Sequence, residues 1–585
     1  MTNEQFAIEP MTNELLTNEL MTNEPMTIEL LTNKPNIMKY KQHFLPLALL
    51  IGVLSSCAQN EKPASAGPIK PETIKAHIAV LANDSLQGRR PFTTGETKTV
   101  NYLSAQFKKM GVEPGNGNSY VQKVPMVEIT STPSATMEIT GGKQNISLKA
   151  VEDFVAFTRR EQDTIQLKNS PLVFAGYGVV APEYKWNDYK DLDVKGKTVI
   201  VLVNDPGFKS NEKGFFRGDT MTYYGRWTYK YEEAARQGAA GVIIVHQTEP
   251  ASYDWSVIKN SNTGAKLYLQ EKDKHKSRCK IEGWMTEQAA TKLLASAGIT
   301  GDIRAYARKK DFKAVSLNLN VSLSLSNKLK YATSQNVIAK ITGSKRPNEY
   351  IIYSAHWDHF GIGPKINGDS IYNGAVDNAS GVAAMLGVAK AFKDAKEKPE
   401  RSIIFLAVTG EEQGLLGSEY YGSNPIYPLN KTVANLNMDA LGFYGKTKDV
   451  SIKGKGQNEV EDYVVKELEK NQMIAVGDQR PGAGSYYRSD HFNFAKVGVP
   501  AIDIVNGFES IDKGADYGKA QKKEYNEKHY HQPSDEYSDK MNVDGFEQIA
   551  NILFKVGFKL SNETTFPEWK KGSEFKAVRD KSMGK

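Results

Sequence analysis

The strongest constraint in this chain is an alternation. Between residues 336 and 559, short apolar β-rich runs take turns with helical patterns. Residues 337–341, 350–354, 402–408 and 501–504 read as strands; 381–392 and 459–471 read as helices. This predicts an α/β fold with a mixed, largely parallel central sheet flanked by helices on both faces. In such sheets ligands collect beyond the carboxyl ends of the strands. Residues suited to that place stand there: His356, Asp377, Glu412, Asp439 and His531, with Glu411 beside Glu412.

The local motifs sharpen the chemistry. His356 and Asp358 form H-W-D directly after the strand at 350–354, and positions two apart in extended chain point the same way. Asp377 lies in N-G-A-V-D-N-A-S-G just before a helix, where a carboxylate can bridge two cations. Asn378, Ser380 and Gly381 suit a tight turn and helix entry. Glu411 and Glu412 follow the strand at 402–408 in T-G-E-E-Q-G-L-L-G-S. Adjacent residues point in different directions, so one can bind metal while its neighbour addresses the substrate. Asp439 lies in L-N-M-D-A-L-G and His531 in H-Y-H-Q-P-S-D-E. Singly, each signal is weak. An H-x-D is usually an ordinary loop, a Glu pair is usually solvated, an Asp before a helix is usually a cap, and His529 and His531 both suit a surface. Jointly, two imidazoles and three carboxylates suit a pair of zinc ions with Glu411 left as a base, which points to a hydrolase.

A length of 585 residues suggests two or more domains. The net charge of +7, from 75 basic and 68 acidic residues, identifies no partner, and the lack of a dense basic face with interleaved aromatics argues against nucleic acid. With only Cys57 and Cys279, no thiolate metal cluster can form. Residues 1–37 repeat M-T-N-E at positions 1, 11 and 21, low-complexity sequence that is either disordered or read from an upstream start. A genuine repetitive extension is the alternative. Met38, Lys39 and Lys41 precede an apolar run at 44–54 and then Leu54-Ser55-Ser56-Cys57, which reads as a secretory signal over 38–57. The run is shorter than the ~20 residues that span a bilayer, although a short anchor with an incidental cysteine is the plainer reading. The Leu-Ser-Ser-Cys ending resembles a bacterial lipobox. That likeness implies a lipidated Cys57, membrane attachment at the cell envelope and a tether over 58–70.

The strings S-A-H-W-D-H, G-A-V-D-N-A-S-G, T-G-E-E-Q-G-L-L-G-S, L-N-M-D, S-D-H-F-N-F and Y-H-Q-P-S-D together resemble the M28 family of zinc-dependent peptidases. The likeness runs from about residue 71 to 560 and includes L-A-N-D-S-L-Q-G-R-R near its start. It implies a zinc exopeptidase fold, peptide substrates and two zinc ions bridged by Asp377. His356 and Asp439 would complete one site, Glu412 and His531 the other. Glu411 would be the general base, and Asp358 would orient His356 from behind. Tyr530 and Arg488 match positions that can hold the scissile carbonyl or the developing oxyanion; a packed loop aromatic and a surface cation are the plainer alternatives.

The middle of the chain resembles a protease-associated (PA) domain through F-A-G-Y-G-V, D-Y-K-D-L-D-V-K-G-K-T-V-I-V-L and A-A-R-Q-G-A-A-G-V-I-I-V. This implies a small β-rich insert over the cleft or a passive structural insert. It is placed at 130–328, between peptidase parts at 71–129 and 329–565, with a basic tail at 566–585. Tyr223, Tyr224 and Trp227 lie in a loop of this insert, either packed locally or reaching the cleft. The expected activity is removal of N-terminal residues. A glutamate-type carboxypeptidase, a glutaminyl cyclase with one zinc and a non-catalytic binding module are the alternatives. Nothing in the sequence sets the oligomeric state.

Overall fold

The computed structural model describes residues 67–212 and 214–585. The N-terminal repeats, the signal-like segment, Cys57 and most of the tether lie outside the described residues. Among the described residues, no helix is long and apolar enough to cross a membrane.

Four parallel strands form the centre of the catalytic sheet, in the order Arg401–Val408, Arg346–His356, Thr432–Asn437 and Ala501–Asn506. Strand Val315–Ile341 closes one side antiparallel, pairing Val337 with Ala407. Asp449–Ile452 closes the other, antiparallel to Ala501–Asn506, and carries Ile474–Val476 beyond it. Every residue of Arg401–Val408 is buried, as a strand covered on both faces requires.

Alternate side chains on these strands serve two cores. Ile351, Tyr353 and Ala355 face the core built with helices Ser380–Asp394 and Asp544–Asn562, to which Pro71–Leu81 and Thr94–Lys109 contribute. Tyr350 and Ile352 face a smaller core with Tyr421 of helix Leu416–Ser423 and Phe494 of helix His491–Lys496. In Asp544–Asn562, Phe546, Ile549 and Leu553 are fully buried; each such side chain contributes roughly 1.5–3 kcal/mol. The break expected near 84–95 is a tight turn at Asp84–Arg89, after which the Thr93 hydroxyl caps Thr94–Lys109 by accepting the Gly95 amide.

The inserted region has its own parallel strands, Thr198–Leu202, Gly241–His246 and Ile281–Thr286, with helices Trp227–Arg236 and Glu287–Ser296. Buried residues pack on both sides of these strands. The boundary expected at 328/329 falls inside one continuous strand. The first half of Val315–Ile341 pairs with Thr164–Phe174 of the insert, the middle with Val121–Pro133, and the end with the catalytic sheet.

Candidate metal centre

The carboxyl ends of three adjacent strands carry four of the predicted residues. His356 ends Arg346–His356, Glu411 and Glu412 follow Arg401–Val408, and Asp439 follows Thr432–Asn437. Asp377 arrives from the loop before helix Ser380–Asp394, and His531 from the turn after helix Gly514–Lys528. The helix entry comes so close to the sheet that a Cβ on Gly381 would lie 2.3 Å from the Met438 carbonyl oxygen. The Asp377–Asn378 peptide bond is cis.

The structure brings all six predicted ligand and base residues together. Donor atoms of His356, Asp377 and Glu412 lie within 4.8 Å of one another, as do those of His356, Glu411 and Asp439. The individual contacts sort them further. His356 Nε2 is 3.2 Å from both Asp377 Oδ1 and Asp439 Oδ1. On the other side, His531 Nε2 is 3.3 Å from Asp377 Oδ2 and 3.4 Å from Glu412 Oε2. The two oxygens of Asp377 therefore face opposite imidazoles. Glu411 stands slightly apart, with Oε2 3.9 Å from His356 Nε2.

These charges strain against one another. Burial opposes a proton on His356, but Glu411, Asp377 and Asp439 outweigh it and hold the imidazole well above its usual range. Burial likewise opposes His531, which Glu412 and Asp377 raise to about 9. For Asp377 burial is outweighed by the two imidazoles, and its carboxyl sits well below the usual range. Burial pushes Glu411 well above that range against the pull of His356, with Glu412 and Asp439 adding to the rise. An imidazole nitrogen carries at most one N–H, yet each Nε2 here faces two carboxylates. A cation that takes the imidazole nitrogen and both oxygens as ligands satisfies all three at once. The donor set fits zinc on this ground, being imidazole and carboxylate with no amide or thiolate.

Asp358 holds the centre differently from the sequence expectation. His356 Nδ1 lies 3.2 Å from the backbone carbonyl of Asp358 and 3.9 Å from its carboxylate. The carboxylate instead accepts the backbone amide of Glu411 at 3.1 Å. Burial raises Asp358 to about 6.

Three supporting residues were missed from sequence. His359 Nδ1 lies 2.6 Å from Glu412 Oε1; it is the second histidine of S-A-H-W-D-H, which was the available signal. Asp535 accepts the backbone amides of Val376 and Asp377, both at 3.0 Å, and fixes the loop that carries the shared carboxylate. Arg89, from L-Q-G-R-R, is 1% exposed and donates to the carbonyls of Trp357, Leu81, Asn373 and Gly374. It thus ties the H-W-D loop to the loop before Asp377.

Tyr530 and Arg488 line a cleft of about 700 Å³ together with Asp377, Glu411 and Asp439. Tyr530 stacks on His531 with ring centroids 3.7 Å apart. Arg488 Nε donates to the Ala483 carbonyl, and its guanidinium lies 5.8 Å from the Tyr253 ring of the insert. Tyr223 packs against Tyr487 and Phe492, Tyr224 is buried against Tyr229, and Trp227 packs on Tyr231. None of these three lines the cleft.

Residues 336–556 match the model described as Peptidase family M28, and residues 168–277 match the PA domain. An aminopeptidase of Mus musculus, NAALADL1, is 28% identical over 34% of this chain and 24% of its own length. A probable zinc metalloprotease of Pyrenophora teres f. teres (strain 0-1) is 32% identical over 25% of this chain and 29% of its own. Among solved structures, an aminopeptidase from Aneurinibacillus sp. strain AM-1 is 20% identical with a TM-score of 0.46, covering 85% of this chain and 96% of that one. The matches to these two curated relatives cover 24% and 29% of their length.

Proposed function

Because residues 336–556 match peptidase family M28 and residues 168–277 match the PA domain, we propose that the chain is a two-zinc exopeptidase that removes N-terminal residues from peptides. The observation that carries this reading is the split of Asp377, whose two oxygens face two different imidazoles. On this reading His356 and Asp439 hold one ion, Glu412 and His531 the other, and Asp377 is shared. Bound zinc supplies an acidified water and a Lewis acid for the scissile carbonyl.

The chain's own residues do the rest. Glu411 takes the proton of the attacking water at a carboxylate oxygen and returns it to the leaving amine. Its backbone is held by Asp358, so the carboxylate keeps its aim while Glu412 is occupied with His359 and His531. The Tyr530 hydroxyl and the Arg488 guanidinium, both on the cleft wall, stabilise the negative charge that develops on the carbonyl oxygen. Carboxylates at the metal end of the cleft receive the substrate's free ammonium group.

A glutamate-type carboxypeptidase is the second reading, favoured by the lysines and arginines that line the same cleft. Free and N-acetylated peptides separate the two. Release of amino acids from free N-termini alone supports the aminopeptidase; release from the C-terminus of acetylated peptides overturns it. Glu411→Gln should abolish turnover while zinc content stays unchanged. The sequence around Cys57 further supports, as a proposal, attachment to the cell envelope through a lipid on that cysteine; mass analysis of the mature N-terminus tests it.

A further inference from the structure

The cleft beside the metal centre is electrically polarised. Asp377, Glu411 and Asp439 make one end acidic. The rest of the wall carries Lys453, Arg480, Arg488, Lys522 and two further lysines against only two carboxylates, Asp478 and Glu527. Lys453 is neutralised by Asp503 at 3.1 Å. Lys519 and Lys523 lie near Asp516 and Glu527. Among the described residues, no carboxylate lies within ion-pair distance of the Arg480 or Lys522 charge, although Asp377 and Asp439 attract Lys522 from farther away, and Lys522 Nζ rests 5.3 Å from the Tyr525 ring. Burial, followed by the charge of Lys453, lowers its ammonium to about 8.

A second observation lies behind the same wall. Arg226 of the inserted region is buried, its Nε lacks a hydrogen-bond partner, and the strongest charge acting on it is that of Arg488. Cations gathered in a partly enclosed cleft without counter-ions concentrate a field that attracts anions. A charged group left without a partner forms its strongest hydrogen bonds with a carboxylate.

We infer that the cationic wall formed by Arg480 and Lys522 binds a carboxylate of the substrate, so that the enzyme selects peptides bearing a negative charge beside the scissile bond. The inference rests on the peptidase reading above. With its scissile bond at the metal centre, a peptide extends a neighbouring carboxylate along this wall. That carboxylate comes either from an acidic side chain or from the free C-terminus of a short peptide, and the two are chemically alike at the wall.

Three tripeptides distinguish the sources: Leu-Glu-Ala amide, Leu-Gln-Ala amide and Leu-Gln-Ala with a free C-terminus. Binding is measured by calorimetry to the zinc-loaded full chain carrying Glu411→Gln, and turnover is measured with the wild-type chain. At least one carboxylate-bearing peptide should bind ten-fold or more tighter than the neutral amide. A gain for Leu-Glu-Ala amide assigns the side chain, and a gain for the free acid assigns the terminus. Lys522→Met or Arg480→Met, in the same background, should cut that preference five-fold or more, whereas Lys390→Met on a distant helix should not. Equal binding of all three peptides overturns the inference. So does a loss of affinity in both wall variants that is the same for all three. Absence of turnover by the wild type, with the binding preference intact, sinks the peptidase reading alone.

Discussion

The carboxylate of Asp358 accepts the backbone N–H of Glu411 at 3.1 Å. This bond joins the loop after one strand to the loop after its neighbour, and it orients the pair of glutamates rather than a histidine ring. The histidine is steadied by the Asp358 carbonyl instead. One residue thus serves His356 through its main chain and Glu411 through its side chain.

Asp358→Ala should lower kcat by about 10–100-fold, the usual cost of losing a group that supports a metal centre. Asp358→Asn keeps an oxygen that can accept the Glu411 amide and should recover most of that loss. Steady-state kinetics of the two variants decide it. Equal loss in both would mean that the negative charge, not the hydrogen bond, is what matters.

His359→Ala should weaken zinc binding by about 10–100-fold, because Glu412 loses the partner that holds it 2.6 Å away. Competition with a coloured chelator measures the affinity directly. Unchanged affinity would show that Glu412 is placed without His359.

Arg89→Met leaves the buried carbonyls of Trp357, Leu81 and Asn373 without a donor, while that of Gly374 keeps the Ala379 amide. Each orphaned buried acceptor costs about 1–3 kcal/mol, so a loss of several kcal/mol is expected in urea unfolding of the metal-free chain. A variant within about 0.5 kcal/mol of wild type would contradict the tie between the two metal-side loops.

The His531 imidazole, raised to about 9, lies above its ordinary 6.5. In the metal-free chain its ion pairs therefore contribute stability that is whole below about pH 6.5 and lost as pH rises through about 9. The difference in melting temperature between wild type and His531→Gln should shrink across that window, since the comparison cancels other titrating groups. Zinc must displace the same proton, so its apparent affinity should climb from pH 6.5 to 9. A difference that is flat with pH would remove His531 from the ion-pair cluster.

The catalytic sheet was legible because its strands are short, apolar and bounded by glycine-rich motifs, and because ligand-type residues stand where those strands stop. His356, Asp377, Glu411, Glu412, Asp439 and His531 each carried a local signal; four stand at strand ends, and Asp377 and His531 join them from helix-flanking turns. What stayed hidden depends on distant chain. Arg89 reaches carbonyls more than 260 residues away, and nothing near it in sequence announces them. Asp535 sits in a loop whose partner amides belong to Val376 and Asp377. The role expected of Asp358 came from the family likeness, which did not carry the bond its carboxylate makes to the Glu411 amide while its carbonyl takes the place nearer His356. The domain edge near 328 was unreadable for a related reason. The strand that opens with alternating serines, asparagines and leucines continues past it without a break.

Strand Val315–Ile341 gives the two halves of the molecule a common beam. A beam hydrogen-bonded to the insert at one end and to the catalytic sheet at the other cannot articulate without breaking its ladder. Displacing the insert against that sheet works against this shared ladder, and the two halves are coupled mechanically through one strand.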